Sequence, residues 1–142
     1  MGVPEGDDNT TPTTYTADNG TTYVRGICPE GWSVGSLEDY QNLDLIAGSV
    51  AMLKDPSTLY WQSGHEGVAD GTGFNARGGG WFNSNLNRYE NLMLDYYFWQ
   101  SDATPGSNVV TSWSIPYYCD NMISQTSLKT DRKSVRCIRK NL

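Results

Sequence analysis

The rhythm of apolar and polar positions changes near residue 56. Before it, Leu37, Tyr40, Leu43 and Ile46 recur at three-residue spacing, which reads as an apolar stripe on a helix. Ser36 precedes them as a good N-cap. Glu38 and Asp39 place negative charge in the first turn, where the helix dipole favours it. Gly48 is placed to end this helix, and a short second helical piece is expected over residues 49–54. Upstream, TTYVRGI (residues 21–27) reads as a first strand running into CPEGW. Residues 1–19 are polar with almost nothing to bury and read as a linker or loosely attached arm, leaving 20–142 as the domain.

After residue 56, glycines and asparagines punctuate short aromatic runs: LYWQS, GGGWFNSN, DYYFWQS and VVTSWSI. The stretch SWSIPYYCDNMISQTSLKT (residues 112–130) has no helical period and patchy alternation, and SVRCIRK follows as a clean last strand. Short strands and irregular loops after a capped helix predict an α+β domain.

Composition narrows the picture. A chain of 142 residues suits one domain with one core. Abundant glycine (15) and tyrosine (9) fit a loop-rich domain with much short β-structure better than a helical bundle. A net charge of −6 disfavours nucleic acid as a partner, because phosphate contacts need a basic stripe. Arg132, Lys133, Arg136, Arg139 and Lys140 do cluster at the end, and read as a charged edge around the last strand. No run of 18 apolar residues exists, so no membrane insertion is expected. No signal peptide is visible; a secreted or cell-surface location is expected, with the export signal outside this chain.

The three cysteines are Cys28, Cys119 and Cys137. A bridge between Cys28 and Cys137 would close a loop of about 109 residues and contribute roughly 4–5 kcal/mol in the chain-entropy picture. That would point to an exported domain; two buried free thiols are the alternative. Cys119 is then the odd cysteine.

Candidate chemistry is sparse. ARGGGW (residues 76–81) has glycines for an anion loop, but no Lys-Ser/Thr follows, so close backbone approach in a strand or bulge is expected. His65 is the sole histidine, which excludes multi-histidine metal sites, and without a G-x-S-x-G it reads as an exposed loop residue. Glu66, Asp70 and the DGTG turn lack the twelve-residue calcium-loop pattern. No catalytic residue, metal or cofactor is expected. Asn83, Asn85 and Asn87 alternate along FNSNLNR and would share one face of an extended segment beside Arg88. Tyr, Asn, Ser and Gly with a few Trp and Arg are what adaptable binding surfaces favour.

CPEGWSV before a capped helix, then AMLKD, GTGFNARGGGWFNSN, YYFWQSDA and SVRCIRK, resembles the Fibrobacter succinogenes major paralogous domain over residues 21–140. That family is common in Bacteroidetes surface proteins and is similar to the C-type lectin fold and to the formylglycine-generating enzymes. The resemblance implies a C-type-lectin-like α+β domain with adjacent N- and C-terminal strands. It would bring Cys28 and Cys137 together and make Trp32, Trp81 and Trp99 framework residues. The calcium-dependent sugar motifs E-P-N and W-N-D are absent, and the catalytic cysteine pair of the enzymes has no clear match. The family's asparagine-rich segment before the last strand matches here at Tyr117 and Lys129. Its asparagine positions hold Tyr118, Cys119, Asn121, Gln125, Thr126, Ser127 and Leu128, and its Gly-Phe is Arg132-Lys133. Such scatter resembles adenine mutagenesis by a diversity-generating retroelement, which acts on some members of this family; drift on a solvent face gives similar residues.

The resemblance implies a ligand-binding, adhesin-type domain of a larger bacterial cell-surface or pilus-tip protein, not an enzyme. It would take a protein or glycan ligand on a host or bacterial surface, with residues 83–128 varied for specificity. Trp113, Tyr118 and Tyr97 would give apolar area; Asp120, Asn121, Asn83, Asn85, Asn87, Arg88 and Gln125 would give orientation. Cys119 is expected as a free or ligand-facing thiol. An enzyme on the formylglycine-enzyme-like fold and a non-binding spacer are the alternatives.

Overall fold

The structure is a computed structural model that describes residues 14–16, 20, 22–102 and 106–140. Helix α1 spans Leu37–Ala47, and its ends are set as the sequence suggests. Ser36 and Asp39 form a reciprocal capping box, and Gly48 ends the helix in the left-handed region. A 3₁₀ turn follows at Val50–Met52, within the expected second helical piece.

The buried face of α1 differs from the expected stripe. Tyr40 and Ala47 are buried and Leu43 packs against the core, whereas Leu37 and Ile46 are 43% and 78% exposed. Three-residue spacing slips against the helical repeat; at about 100° per residue, Leu37 and Ile46 point roughly 180° apart. The core follows 40, 43 and 47 instead.

The strands are short. They are β1 (Thr14–Thr16), β2 (Thr22–Val24), β3 (Trp32–Val34), β4 (Trp81–Asn83) and β5 (Arg88–Glu90), then β6 (Tyr96–Trp99), β7 (Val109–Ile115), β8 (Ile123–Leu128) and β9 (Cys137–Arg139). They form an antiparallel sheet β6-β7-β8 and three two-stranded ladders: β1-β2, β3-β9 and β4-β5. The architecture is α+β, as expected. The strand beside β9 is β3, inside CPEGWSV; the expected first strand pairs instead with Thr14–Thr16, part of the segment read as a linker. Single bridges tie these pieces together: Gly80, just before β4, to Tyr96 of β6, and the segment between β8 and β9 to β4 (Phe82 to Arg132) and to β6 (Phe98 to Ser134).

Val34 stands opposite Cys137 in the β3-β9 register, and Cys28 reaches across to form the Cys28–Cys137 disulfide, with Cα atoms 5.6 Å apart. Tyr40, Leu53, Trp61, Phe98 and Ile115 form the centre of the core, all 0% exposed. The Tyr40 hydroxyl donates to the Trp99 carbonyl at 3.1 Å, so α1 docks on β6 by a hydrogen bond as well as by ring packing. The glycines of ARGGGW allow close approach: a Cβ on Gly80, whose φ is +60°, would meet the Glu90 carbonyl oxygen at 2.1 Å.

Candidate functional site

Residues 116–122 connect β7 to β8. Pro116 and Met122 are buried at the two ends, so the loop is rooted in the core. Asp95, 2% exposed, organises the root. One of its carboxylate oxygens accepts from the Tyr117 amide at 3.2 Å; the other accepts from Tyr97 Oη at 2.9 Å and Asn91 Nδ2 at 2.8 Å. The far side of the loop is tied to α1 and the 3₁₀ turn: the Val50 amide donates to the Asp120 carbonyl at 2.9 Å, and the Met122 amide to Asp44 at 3.2 Å. Within the loop, the Cys119 thiol donates to the Asn121 carbonyl at 3.3 Å.

On this root stand exposed side chains. Tyr117 and Tyr118 are 41% and 64% exposed and meet edge to face at 5.4 Å. His65 packs edge-on against Tyr117 at 5.1 Å, so it is half-buried instead of the exposed loop residue expected. Asp120 and Asn121 are exposed beside them, as are Ser124 and Thr126 on β8, with Gln125 half-buried between. Cys119 is a free cysteine.

Apart from Gln125, half-buried on β8, the expected site residues divide into three groups. Tyr118, Cys119, Asp120 and Asn121 are brought together on the loop. Asn83, Asn85, Asn87 and Arg88 lie on the β4-β5 hairpin, whose Ser84 hydroxyl bonds Asp131 at 2.8 Å, past the far end of β8. A six-residue strand spans roughly 20 Å, so the two groups flank β8 and do not merge into one patch. Tyr97 and Trp113 are 8% and 7% exposed and belong to the interior, not to a contact surface. Tyr97 is held by Asp95, and Trp113 donates to Gln100 Oε1 at 2.8 Å and packs against Tyr40.

The asparagines do not share an extended face. Residues 84–87 turn, and Asn87 takes φ +50°. Asn83 caps that turn: its Oδ1 accepts from the Asn85 and Leu86 amides at 3.1 and 3.2 Å, and its Nδ2 donates to Glu90. Alternation that looked like a strand face is the spacing of an Asx turn. Arg88 is paired with Glu90 at 2.8 Å, which holds the Glu90 carboxyl below its ordinary pKa.

The basic tail is not simply a charged edge. Lys140 pairs with Asp39 at 2.7 Å, tying the last strand to the first turn of α1. Burial raises the Asp39 pKa, but the Lys140 and Ser36 hydrogen bonds outweigh it and leave the carboxyl below its usual range. Arg136 lies over Phe74 and donates to its carbonyl, and Arg132 lies over Phe82. Lys133, where the resemblance places a phenylalanine, enters a slot between Trp81, Tyr97 and Trp99, its ammonium 4.9, 5.4 and 5.2 Å from the ring centres. It donates to the hydroxyls of Ser112 and Ser127. Trp81 and Trp99 therefore act as framework, while Trp32 lies at the rim, 37% exposed.

The sequence reading passes over Asp95 and Asn91 and takes His65 only as an exposed loop residue, yet these three lie under and beside the exposed tyrosines. Asp95 interrupts an otherwise apolar and aromatic run, LMLDYYFW, and a lone acid in such a run is the signal that was available. Among the described residues, no group of three or more His, Cys, Asp or Glu is placed to hold a metal ion, and no helix is long and apolar enough to cross a membrane.

The family model of the Fibrobacter succinogenes major domain matches residues 8–139. The chain belongs to that family. The match begins inside the polar N-terminal segment and ends in β9. This Fibrobacter succinogenes major domain thus includes the β1-β2 ladder and closes with the Cys28–Cys137 bridge. None of the curated proteins or solved structures compared with it matches.

Proposed function

We propose that this domain is a ligand-binding, adhesin-type module of a larger bacterial cell-surface or pilus-tip protein, on a C-type-lectin-like scaffold. The loop 116–122 and the outward face of β8 form its contact surface, and no bond is broken there. One observation carries the reading: a loop pinned on both sides by hydrogen bonds nevertheless displays Tyr118 at 64% exposure. A loop already ordered loses little entropy on binding, and its Tyr, Asp and Asn, with Ser124 and Thr126 beside them on β8, suit contact with a protein or glycan. The C-type-lectin-like reading is supported by a capped helix packed on a three-stranded sheet, with chain ends joined by β3-β9 pairing and a disulfide. The bridge is compatible with an oxidising, extracellular compartment.

The same reading takes Tyr118, Cys119, Asn121, Gln125 and Thr126 as diversified positions. The placement of Tyr118, Cys119 and Asn121 on the loop and of Thr126 on the outward face of β8 supports this, whereas Gln125 is half-buried and Ser127, 7% exposed, serves the interior. A neighbouring reverse transcriptase gene and a near-copy of the coding segment, differing at adenines alone, would be expected; differences at all four bases would end the diversification reading. For binding, the domain is screened against arrays of glycans and surface proteins. The expected result is a saturable hit abolished by Asp120→Lys with the melting temperature unchanged. Hits indifferent to that charge reversal would place the binding surface elsewhere.

A further inference from the structure

At the end of the β6-β7-β8 sheet remote from residues 116–122, a cavity of about 360 Å³ opens between the β2–β3 turn and the start of β7. Its size falls near the lower end of small-molecule sites, about 300–1,000 Å³. Val24, Ile27, Val34, Val110 and Val135 give it branched aliphatic walls, and Trp99 adds an aromatic surface. Walls of this kind favour a flat apolar group over a sugar, which needs many hydrogen-bonding partners.

Besides the Ser101 hydroxyl, two donors break the apolar lining. Gln100 is 7% exposed and lines the cavity. Trp113 Nε1 can only donate, so the Gln100 carboxamide must turn its oxygen to Trp113, at 2.8 Å, leaving the amide nitrogen on the other side. Among the described residues that nitrogen has no hydrogen-bond partner and it keeps solvent access, so it is free to donate to an acceptor bound in the cavity. Lys129 is the second donor. Its amide is fixed to the Asn108 carbonyl at 3.0 Å, while its ammonium has no acidic partner among the described residues.

We propose that this cavity is a second binding site, for a small aromatic carboxylate. The ring lies against Trp99 and the valines, and the carboxylate accepts from Lys129 Nζ and Gln100 Nε2. A neutral amide would keep the apolar contacts but lose the charge-assisted bonds, and an amine would meet Lys129 with like charge. The site is separate from the surface assigned to adhesion, so either can fail without the other.

The test titrates phenylacetate, phenylacetamide and phenethylamine separately into the intact chain, reading the methyl resonances of Val110 and Val135 by NMR. Phenylacetate is expected to saturate and shift those methyls, with the amide at least about tenfold weaker and the amine silent. Lys129→Gln, an exposed change, is expected to weaken phenylacetate about tenfold and to remove the salt dependence. Gln100→Glu, which keeps an oxygen towards Trp113, is expected to abolish binding. The proposal is overturned by absence of saturable shifts, by equal binding of acid and amide, or by phenylacetate affinity that survives Lys129→Gln.

Discussion

Replacing Lys133 by methionine is predicted to stabilise the domain at neutral pH, although it removes three cation–π contacts and two hydrogen bonds. Burial draws the Lys133 amine from its ordinary 10.5 down to about 8, against the opposing pull of Asp131. At about 1.36 kcal/mol per pH unit, that displacement corresponds to roughly 3 kcal/mol of cost for holding the charge in the slot. The side chain is only part-buried, so solvent screening reduces the figure to about 1 kcal/mol net. Methionine fills the same slot without charge and keeps favourable sulfur–ring contacts, while Ser112 and Ser127 still bond each other at 2.7 Å. Below pH 8 the amine is protonated in both states and the folded protein carries the whole penalty. Between pH 8 and 10.5 the unfolded chain holds the extra proton, so wild-type stability rises with pH through that window and then levels. Urea melts of both proteins at pH 6 to 10 provide the assay. Lys54, whose pKa burial also lowers, contributes equally to both curves and drops out of the difference. Lys133→Met should exceed wild type by about 1 kcal/mol near pH 7, with a Tm higher by about 3–5 °C, and the gap should close by pH 10. A less stable variant at pH 7, or a gap that persists unchanged to pH 10, would refute the reasoning.

Other outcomes follow from the packing. Asp95→Ala removes the shared acceptor of Tyr97, Asn91 and the Tyr117 amide; it is expected to cost about 3 kcal/mol by urea melt and to raise hydrogen exchange across residues 116–122. The Cys28–Cys137 bridge closes 109 residues of sequence separation, so the double serine variant should lose about 4–5 kcal/mol in the chain-entropy picture. Mass spectrometry after thiol labelling should add one label to the native protein, at Cys119, and three after reduction. Tyr40→Ala should cost about 3–5 kcal/mol, whereas Ile46→Ala should stay within about 0.5 kcal/mol, a contrast that checks the corrected helix face.

The helix was legible because its signals are local. Ser36, Asp39 and Gly48 act within a turn of their own positions, and all three do what their side chains suggest. The stripe was misread because three-residue spacing does not match a helical repeat over nine residues. Strand pairing was harder to read, since it depends on partners far along the chain; nothing near TTYVRGI says that CPEGWSV, not it, takes the last strand. Side-chain direction was hardest. Tyr97 and Tyr118 are the same residue type in similar aromatic runs, yet Asp95 and Asn91 draw one into the interior while the other stands on a loop. The asparagine alternation at 83, 85 and 87 fits both a strand and a turn, and the Asn83 side chain, accepting from the Asn85 and Leu86 amides, decides for the turn. Lys133 reads as surface charge until Trp81, Tyr97 and Trp99 are seen to meet around it.

The central claim is that the pinned loop 116–122 is where this domain meets its ligand. The most direct measurement compares wild type with Tyr118→Ala for the ligand recovered from the array screen, with affinity and melting temperature taken from the same samples. Tyr118 is 64% exposed, so its truncation should leave Tm within about 1 °C while affinity falls at least about tenfold. Affinity unchanged by the substitution, with Tm equally unchanged, would contradict the assignment.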